Sequence, residues 1–280
     1  MPEPKVDFFV CGAQKAGTTA LDAMLRQMPG VQMGRIKEAH YFDDESIDWS
    51  APDRRRLHAM FDWTQADSVR GEATPIYTYW PAALERLRQY NPSAVLIMGL
   101  REPGLRAYSH WRMERSRGSD AMNFHDSIRS LGRRRLRDAP LGVHRVYSYV
   151  ERGFYAAQVE RMLRLFPRRN VIFYRTDVLI ARPAYVLDRI RDRLGIDREA
   201  IVRSTYTTPT PAAEFEPIPD ADRCYLRELY RDDIYATERL TGIELRDWLE
   251  DSYREPIAGE ATYRLPGSSG GASRALPSSP

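Results

Sequence analysis

The chain has 280 residues and 32.4 kDa, with 42% hydrophobic and 11% aromatic residues, ample for a packed core and outside the range of disordered chains. Lys and Arg number 42 against 39 Asp and Glu, a net charge of +3 that is too even for a dedicated nucleic-acid binder. Two cysteines, Cys11 and Cys224, exclude a disulfide framework and fit a reducing compartment, while no run approaches the roughly 20 apolar residues of a membrane span.

In chain order, Val6 to Cys11 is a short apolar β-type run that starts too early to leave room for a signal peptide, so a soluble, cytoplasmic protein is expected. A glycine-bearing loop, Gly12 to Thr19, and an amphipathic helix from Ala20 to Leu25 follow, closed by Pro29-Gly30. A helix from about Ala82 to Tyr90 precedes a second strand, Ala94 to Leu100, and a long helix from Pro103 to about Arg117 that Gly118 stops. Tyr155 to Phe166 reads as a helix, Val171 to Tyr174 as a third strand, and Pro183 to Leu194 as a helix ended by Gly195. Four prolines make Thr207 to Pro219 a loop, and helical spacing returns from about Ala221 to Leu249. From Glu255 the chain turns rich in Gly, Ser and Pro, so residues 1–254 are expected to form the domain and 255–280 a disordered tail. Strands alternating with helices predict one α/β domain, P-loop-like, with a central parallel sheet flanked by helices.

The loop between the first strand and helix carries the chemistry. Such a turn aims backbone N–H groups and the positive end of a helix at an anion. Gly12 and Gly17 have the spacing of a nucleotide-triphosphate loop, but Thr18 stands where that loop needs its lysine, and the lysine lies earlier, at Lys15. The strand ending in Gly99-Leu100-Arg101 offers no acid for magnesium, and the dinucleotide pattern G-x-G-x-x-G is absent. Lysine is scarce: Lys5, Lys15 and Lys37 are the three among 42 basic residues, which makes them candidates for places that require a compact ammonium.

Gln14-Lys15-Ala16-Gly17-Thr18-Thr19-Ala20-Leu21 resembles the 5′-phosphosulfate loop of sulfotransferases that use 3′-phosphoadenosine-5′-phosphosulfate (PAPS), with the heparan sulfate N- and 3-O-sulfotransferases and their bacterial relatives as the nearest type. Three further segments match in order: Lys37-Glu38-Ala39-His40-Tyr41-Phe42; Leu100-Arg101-Glu102-Pro103 through Arg106 to Ser109; and Gly153-Phe154-Tyr155 with Gln158 and Phe166-Pro167. The resemblance spans about Phe8 to Gly195. It implies transfer of a sulfuryl group from PAPS to a hydroxyl, or an amine, of a small-molecule, lipid or glycan acceptor, with release of adenosine 3′,5′-bisphosphate.

In that reading Lys15 stabilises charge on the departing oxygen, and Gln14, Ala16, Gly17, Thr18 and Thr19 complete the loop around the 5′-phosphate. Glu38 is the candidate general base, with partial burial beside Tyr41 and Phe42 expected to raise its pKa and the adjacent Lys37 to pull the other way. If residues 37–42 form a strand, Lys37 points away from Glu38 and His40 shares Glu38's face, as a second base or an orienting group. Arg101 and Ser109 take the 3′-phosphate, Arg106 is assigned to structural ion pairs, and His110 and Trp111 to the core. Glu72-Ala73-Thr74-Pro75-Ile76-Tyr77 resembles the segment E-K-[ST]-P-x-Y that lines the acceptor side in glycan-modifying members, with Ala73 in place of the lysine. The family's K-G-R cap over the nucleotide is missing, and a loop around Arg203 to Pro219 is the candidate replacement. Arg133 to Arg137 reads as a solvated face, the five histidines show no metal-ligand spacing, and the chemistry needs no metal. Neither a membrane span nor nucleic acid is expected, and the sequence carries no signal for oligomeric state. A magnesium-dependent P-loop kinase and a non-catalytic nucleotide-binding module are the alternatives.

Overall fold

Five short strands, three of them buried along their whole length, build two hydrophobic cores at once. The computed structural model describes residues 3–196, 216–258 and 260. Its strands are β1 (Phe8–Gly12), β2 (Val31–Met33), β3 (Val69–Ala73), β4 (Val95–Leu100) and β5 (Val171–Arg175). They form one sheet in the order β2-β3-β1-β4-β5, and every pairing is parallel. The helices are α1 (Thr18–Leu25), α2 (Arg55–His58), α3 (Ala83–Tyr90), α4 (Pro103–Ser116), α5 (Phe124–Ser127), α6 (Ser130–Arg134), α7 (Tyr155–Leu165), α8 (Thr176–Ala181), α9 (Pro183–Leu194) and α10 (Asp220–Thr241).

The period-two alternation of strand side chains decides which core each residue enters. Phe9, Cys11, Leu96, Met98, Leu100 and Phe173 pack with Leu87 of α3, Val159 and Met162 of α7, and Leu226 and Ile234 of α10. Their neighbours Phe8, Val10, Val95, Ile97, Ile172 and Tyr174 pack with Leu21 and Met24 of α1 and Leu187 and Ile190 of α9. The expected fold, a central parallel sheet with helices on both faces, is the one observed.

Two of the five strands, β2 and β3, were not expected, and β3 shows why. Val69-Arg70-Gly71-Glu72-Ala73 holds two charged residues and a glycine, yet four of its five residues are buried. Arg70 gives both terminal nitrogens of its guanidinium to the carbonyls of Ser68, Asp62 and Gln65, so its charge goes under cover with those donors bonded. Gly71 is required because a Cβ there would stand 2.0 Å from the ring of Phe8. In the opposite direction, the helix expected to run to Leu249 ends at Thr241, where Gly242 takes φ 71° and closes it as a left-handed cap.

The expected start of the tail falls on a residue that is held. Glu255 forms a two-pronged ion pair with Arg101, at 2.7 and 2.6 Å. Arg254 likewise binds Glu260, at 2.9 and 2.5 Å. The described chain therefore stays against the domain past residue 254, because an arginine at the end of β4 binds it there. Residues 261–280 lie outside the described residues, as do 207–215 of the expected loop. No described helix is long and apolar enough to cross a membrane.

The loop after β1 rests on β4. Ala13 donates to the Gly99 carbonyl at 2.9 Å, and the Tyr174 hydroxyl donates to Ala16 at 3.1 Å. A Cβ on Gly99 would stand 2.7 Å from the Ala16 carbonyl oxygen and 2.6 Å from the Tyr174 ring. Gly99→Ala is therefore expected to cost about 1–3 kcal/mol, as overpacking does, read as a lowered urea midpoint at constant slope. An unchanged midpoint would mean that the loop is not seated on β4.

Candidate functional site

All parallel strands end on the same edge of the sheet, and the open edge there is where α/β proteins hold ligands. β1 delivers the loop Ala13–Gly17, β3 delivers Ala73, and β4 delivers Arg101. Lys15 takes φ 72° and Gly17 φ 79°, two left-handed turns that fold the loop back before α1. No side chain caps the N-terminus of α1, so the first N–H groups of the helix, from Thr18 on, are not taken by a capping residue. Thr18 is buried and Thr19 is exposed.

The half-buried ammonium of Lys15 lies along α4, 3.6 Å from the sulfur of Met113. Ser109 is one turn before Met113 on that helix, so it shares the face turned to the loop. Burial, with Arg101 and Arg117 nearby, lowers the Lys15 pKa from 10.5 to about 8, while Glu38 and Glu114 oppose the shift. Lys15 and Glu38 thus feel each other's charge across one site. Arg101 bonds to the Lys15 carbonyl at 3.0 Å as well as to Glu255. The half-buried Gln14 accepts from Arg152, a fully buried guanidinium whose other donors go to Ser148 Oγ and to the His144 and Arg145 carbonyls.

The segment expected as a strand over residues 37–42 is an irregular turn. Glu38 has φ 62° and His40 φ 48°, both left-handed and both incompatible with a pleated strand. Lys37 therefore does not point away from Glu38: its ammonium pairs with Glu38 Oε1. His40 Nε2 lies 3.6 Å from Glu38 Oε2, and its Nδ1 lies 2.8 Å from Asp43 Oδ2. Asp43 is buried and also receives Arg145, which reaches both its carboxylate and, at 2.8 Å, its carbonyl. An open cavity of about 390 Å³ lined by Ala39, His40, Asp44, Arg56 and Arg145 adjoins this turn.

These contacts reverse one expectation. Burial pushes the Glu38 carboxyl up, but the bond from His40 and the charge of Lys37 outweigh it and hold the pKa at about 2. The bond to Asp43, then that to Glu38, raises His40 to about 9 against the cost of burial. At neutral pH this turn holds an ionised Glu38 between two cations, Lys37 and His40.

Sequence reading missed Asp43, Arg145, Arg152 and Glu255. Asp43 alone had a local signal, three residues after His40; the rest reach the site from distant segments. Arg106 departs from its assignment. It is fully buried, donates to the Tyr149 carbonyl, and has no ion pair with a carboxylate among the described residues. His110 and Trp111 are buried as expected. The run Arg133 to Arg137 is only partly a solvated face, since Arg133 pairs with Glu151 and Arg135 with Asp120. The expected cap, around residues 203–215, lies outside the described residues. Among the described residues no group of His, Cys, Asp and Glu is placed to hold a metal ion.

Comparison with known proteins identifies the family. A family model described as "Sulfotransferase domain" matches residues 5–213. Human heparan sulfate glucosamine 3-O-sulfotransferase 3B1 is 31% identical over 192 residues, 68% of this chain and 46% of that protein. Mouse heparan sulfate glucosamine 3-O-sulfotransferase 6 is 29% identical over 205 residues, 72% of this chain and 55% of that protein. The chain thus spans about half the length of these curated relatives. The crystal structure of a sulfotransferase from Alicyclobacillus acidocaldarius superposes with a TM-score of 0.75 and 25% identity, covering 89% of this chain and all of that one.

The Asp43–His40–Glu38 chain makes a direct prediction. Followed by NMR, the His40 ring should titrate near pH 9, and Asp43→Asn should bring it down toward the ordinary value of about 6.5. A midpoint near 6.5 in the unaltered protein would remove Asp43 as its partner.

Proposed function

The chain belongs to the sulfotransferase family, and from that premise we propose that it transfers a sulfuryl group from PAPS to a hydroxyl, or less readily an amine, of a small-molecule, lipid or glycan acceptor. The observation that carries the reading is that the Lys15 loop and the Glu38 turn adjoin the same ends of two adjacent strands, with the Glu38 charge acting on the Lys15 ammonium. Lys15 follows β1, and the Glu38 N–H bonds to the carbonyl of Ala73, the last residue of β3, at 2.9 Å. A phosphate-type loop and a carboxylate on a separate turn are what in-line group transfer needs.

In the proposed step, the acceptor oxygen attacks sulfur as the bond from sulfur to the bridging phosphate oxygen breaks. Its proton passes to Glu38, and adenosine 3′,5′-bisphosphate leaves. By analogy with phosphoryl transfer the transition state is loose, with charge accumulating on the departing oxygen. The Lys15 ammonium answers that charge, and turning from Met113 toward the oxygen takes only rotation about its flexible stem. Gln14, Ala16, Gly17, Thr18 and Thr19 surround the 5′-phosphate, and Arg101 with Ser109 takes the 3′-phosphate. The phosphate must then exchange with Glu255 for the Arg101 guanidinium.

A carboxylate with a pKa of about 2 is a weak base, and the order of events makes it sufficient. Once the oxygen–sulfur bond is forming, the attacking oxygen becomes oxonium-like and strongly acidic. An ionised Glu38 can take its proton at that late stage. The charged His40 orients Glu38 and the acceptor rather than competing for the proton. The cavity beside His40 is the route for the acceptor. Two free cysteines, one of them exposed, fit the cytoplasmic placement expected from the sequence.

Adenosine 3′,5′-bisphosphate should raise the melting temperature without metal, and ATP with magnesium should not; the reverse result would favour a kinase. Lys15 carries its charge below about pH 8 and loses it above, so nucleotide affinity should fall as pH rises through 8. Lys15→Ala should flatten that dependence and lower turnover by about 10²–10³-fold, the scale of a lost electrostatic stabiliser. Glu38→Gln should lower turnover by about 10²–10⁴-fold with nucleotide affinity unchanged. Formation of sulfated acceptor at the full rate by either variant would refute the role assigned to that residue.

A further inference from the structure

The segment Glu72 to Tyr77 carries three polar residues that the proposed reaction does not use. All three are buried: Glu72 is 1% exposed, Thr74 and Tyr77 0%. A wall that touches an acceptor would need exposed side chains, so these residues do not line the acceptor path. Their polar atoms point at the back of the turn that carries Glu38 and His40.

Four consecutive N–H groups of that turn end on this one segment. Glu38 N–H goes to the Ala73 carbonyl at 2.9 Å. Ala39 N–H goes to Glu72 Oε1 at 3.3 Å, His40 N–H to Thr74 Oγ1 at 3.4 Å, and Tyr41 N–H to the Tyr77 hydroxyl at 3.2 Å. Thr74 in turn donates its hydroxyl to Glu72 Oε1 at 2.5 Å, which ties the acceptors to one another. Three of the four bonds are long, so they act as a set rather than singly.

The turn needs such a backing. Glu38 and His40 both hold left-handed backbone, a conformation that costs a non-glycine residue on the order of 1–3 kcal/mol and persists only when its surroundings fix it. A strand ladder is closed to residues 39–41, because their N–H groups face side chains. The alternation of the two left-handed residues around Ala39 is what turns Glu38 and His40 toward each other.

We propose that Glu72, Thr74 and Tyr77 are positioning residues: together they form a mould that receives the backbone of residues 39–41 and so fixes the Glu38–His40–Asp43 alignment. Glu72 acts through its acceptor oxygen and Thr74 as the link between Glu72 and the His40 N–H. The Tyr77 hydroxyl closes the row at Tyr41. None of them touches acceptor or donor. The mould's importance for turnover rests on reading Glu38 as the base, whereas its existence does not.

The test therefore avoids turnover. The His40 ring is faced by Glu38, Asp43 and Arg145, with Arg56 on its carbonyl, so its titration midpoint reports how well the carboxylates meet it. In NMR titrations of the full chain, with His40 assigned by the signal lost in His40→Gln, Thr74→Val keeps the side-chain shape and removes the hydroxyl. Its midpoint should fall by about one unit or more toward the ordinary histidine value, and Thr74→Ser should restore it. A folded Thr74→Val with an unshifted midpoint overturns the proposal, as does a Thr74→Ser that shifts as far as Thr74→Val. Should Thr74→Val fail to fold, Tyr77→Phe decides by the same readout: a lowered midpoint supports the mould, and an unshifted one overturns it. Loss of sulfuryl transfer with His40 behaving as expected would count against the proposed function and leave the mould standing.

Discussion

The register of β1 against β3 is the constraint from which the rest of the site follows. Phe9 lies opposite Glu72 and Val10 opposite Ala73, so the loop after β1 and the turn served by β3 open on the same edge. A slip of one residue would move Glu72 to the other face of the sheet, where Leu21 and Met24 form an apolar core. The carboxyl would then be buried without its partners, and the Ala39 N–H would lose its acceptor. Gly71 locks the register from the other side, since the ring of Phe8 fills the space its Cβ would need.

Charge in the site is divided in a way the scarcity of lysine makes visible. Arginine supplies 39 of the 42 basic residues, yet two of the three lysines, Lys15 and Lys37, stand at the site. Arginine does the fixed work: Arg152 ties Gln14 to the segment from His144, Arg145 holds Asp43, and Arg101 holds Glu255. Each of these roles uses a planar fork with several donors. In the proposed reaction the two ammonium groups sit where a charge must move or yield, Lys15 toward the departing oxygen and Lys37 paired with Glu38.

The fold was legible because its strands β1, β4 and β5 are continuous apolar runs between helices with proline or glycine ends. β3 was hidden because Arg70 and Glu72 look like surface residues until their distant partners are known. The loop after β1 could be read from Gly12, Lys15 and Gly17, since its left-handed turns fall at Lys15 and Gly17 within one short segment, whereas its seating on Gly99 and Tyr174 could not. The conformation of residues 37–42 could not. An alternation of charged and aromatic residues suggests a strand, whereas the N–H groups around the left-handed turns at Glu38 and His40 bond to a segment some 34 residues later, that of Glu38 to the Ala73 carbonyl and those of Ala39 and His40 to the side chains of Glu72 and Thr74. The same distance effect explains the pKa of Glu38: burial was foreseeable, but the contacts with Lys37 and His40 that overcome it depend on the turn. Glu255 was missed for a related reason, since nothing in its neighbourhood announces that Arg101 waits for it.

The most direct test is a crystal structure with adenosine 3′,5′-bisphosphate bound. The 5′-phosphate should sit in the loop from Ala13 to Thr19 with the Lys15 ammonium turned onto it. The 3′-phosphate should displace Glu255 from Arg101, and the Glu38 carboxylate should face the 5′-phosphate across a gap open to the cavity beside His40. A nucleotide bound away from that loop, or a Glu38 that opens into a different cleft, would contradict the account.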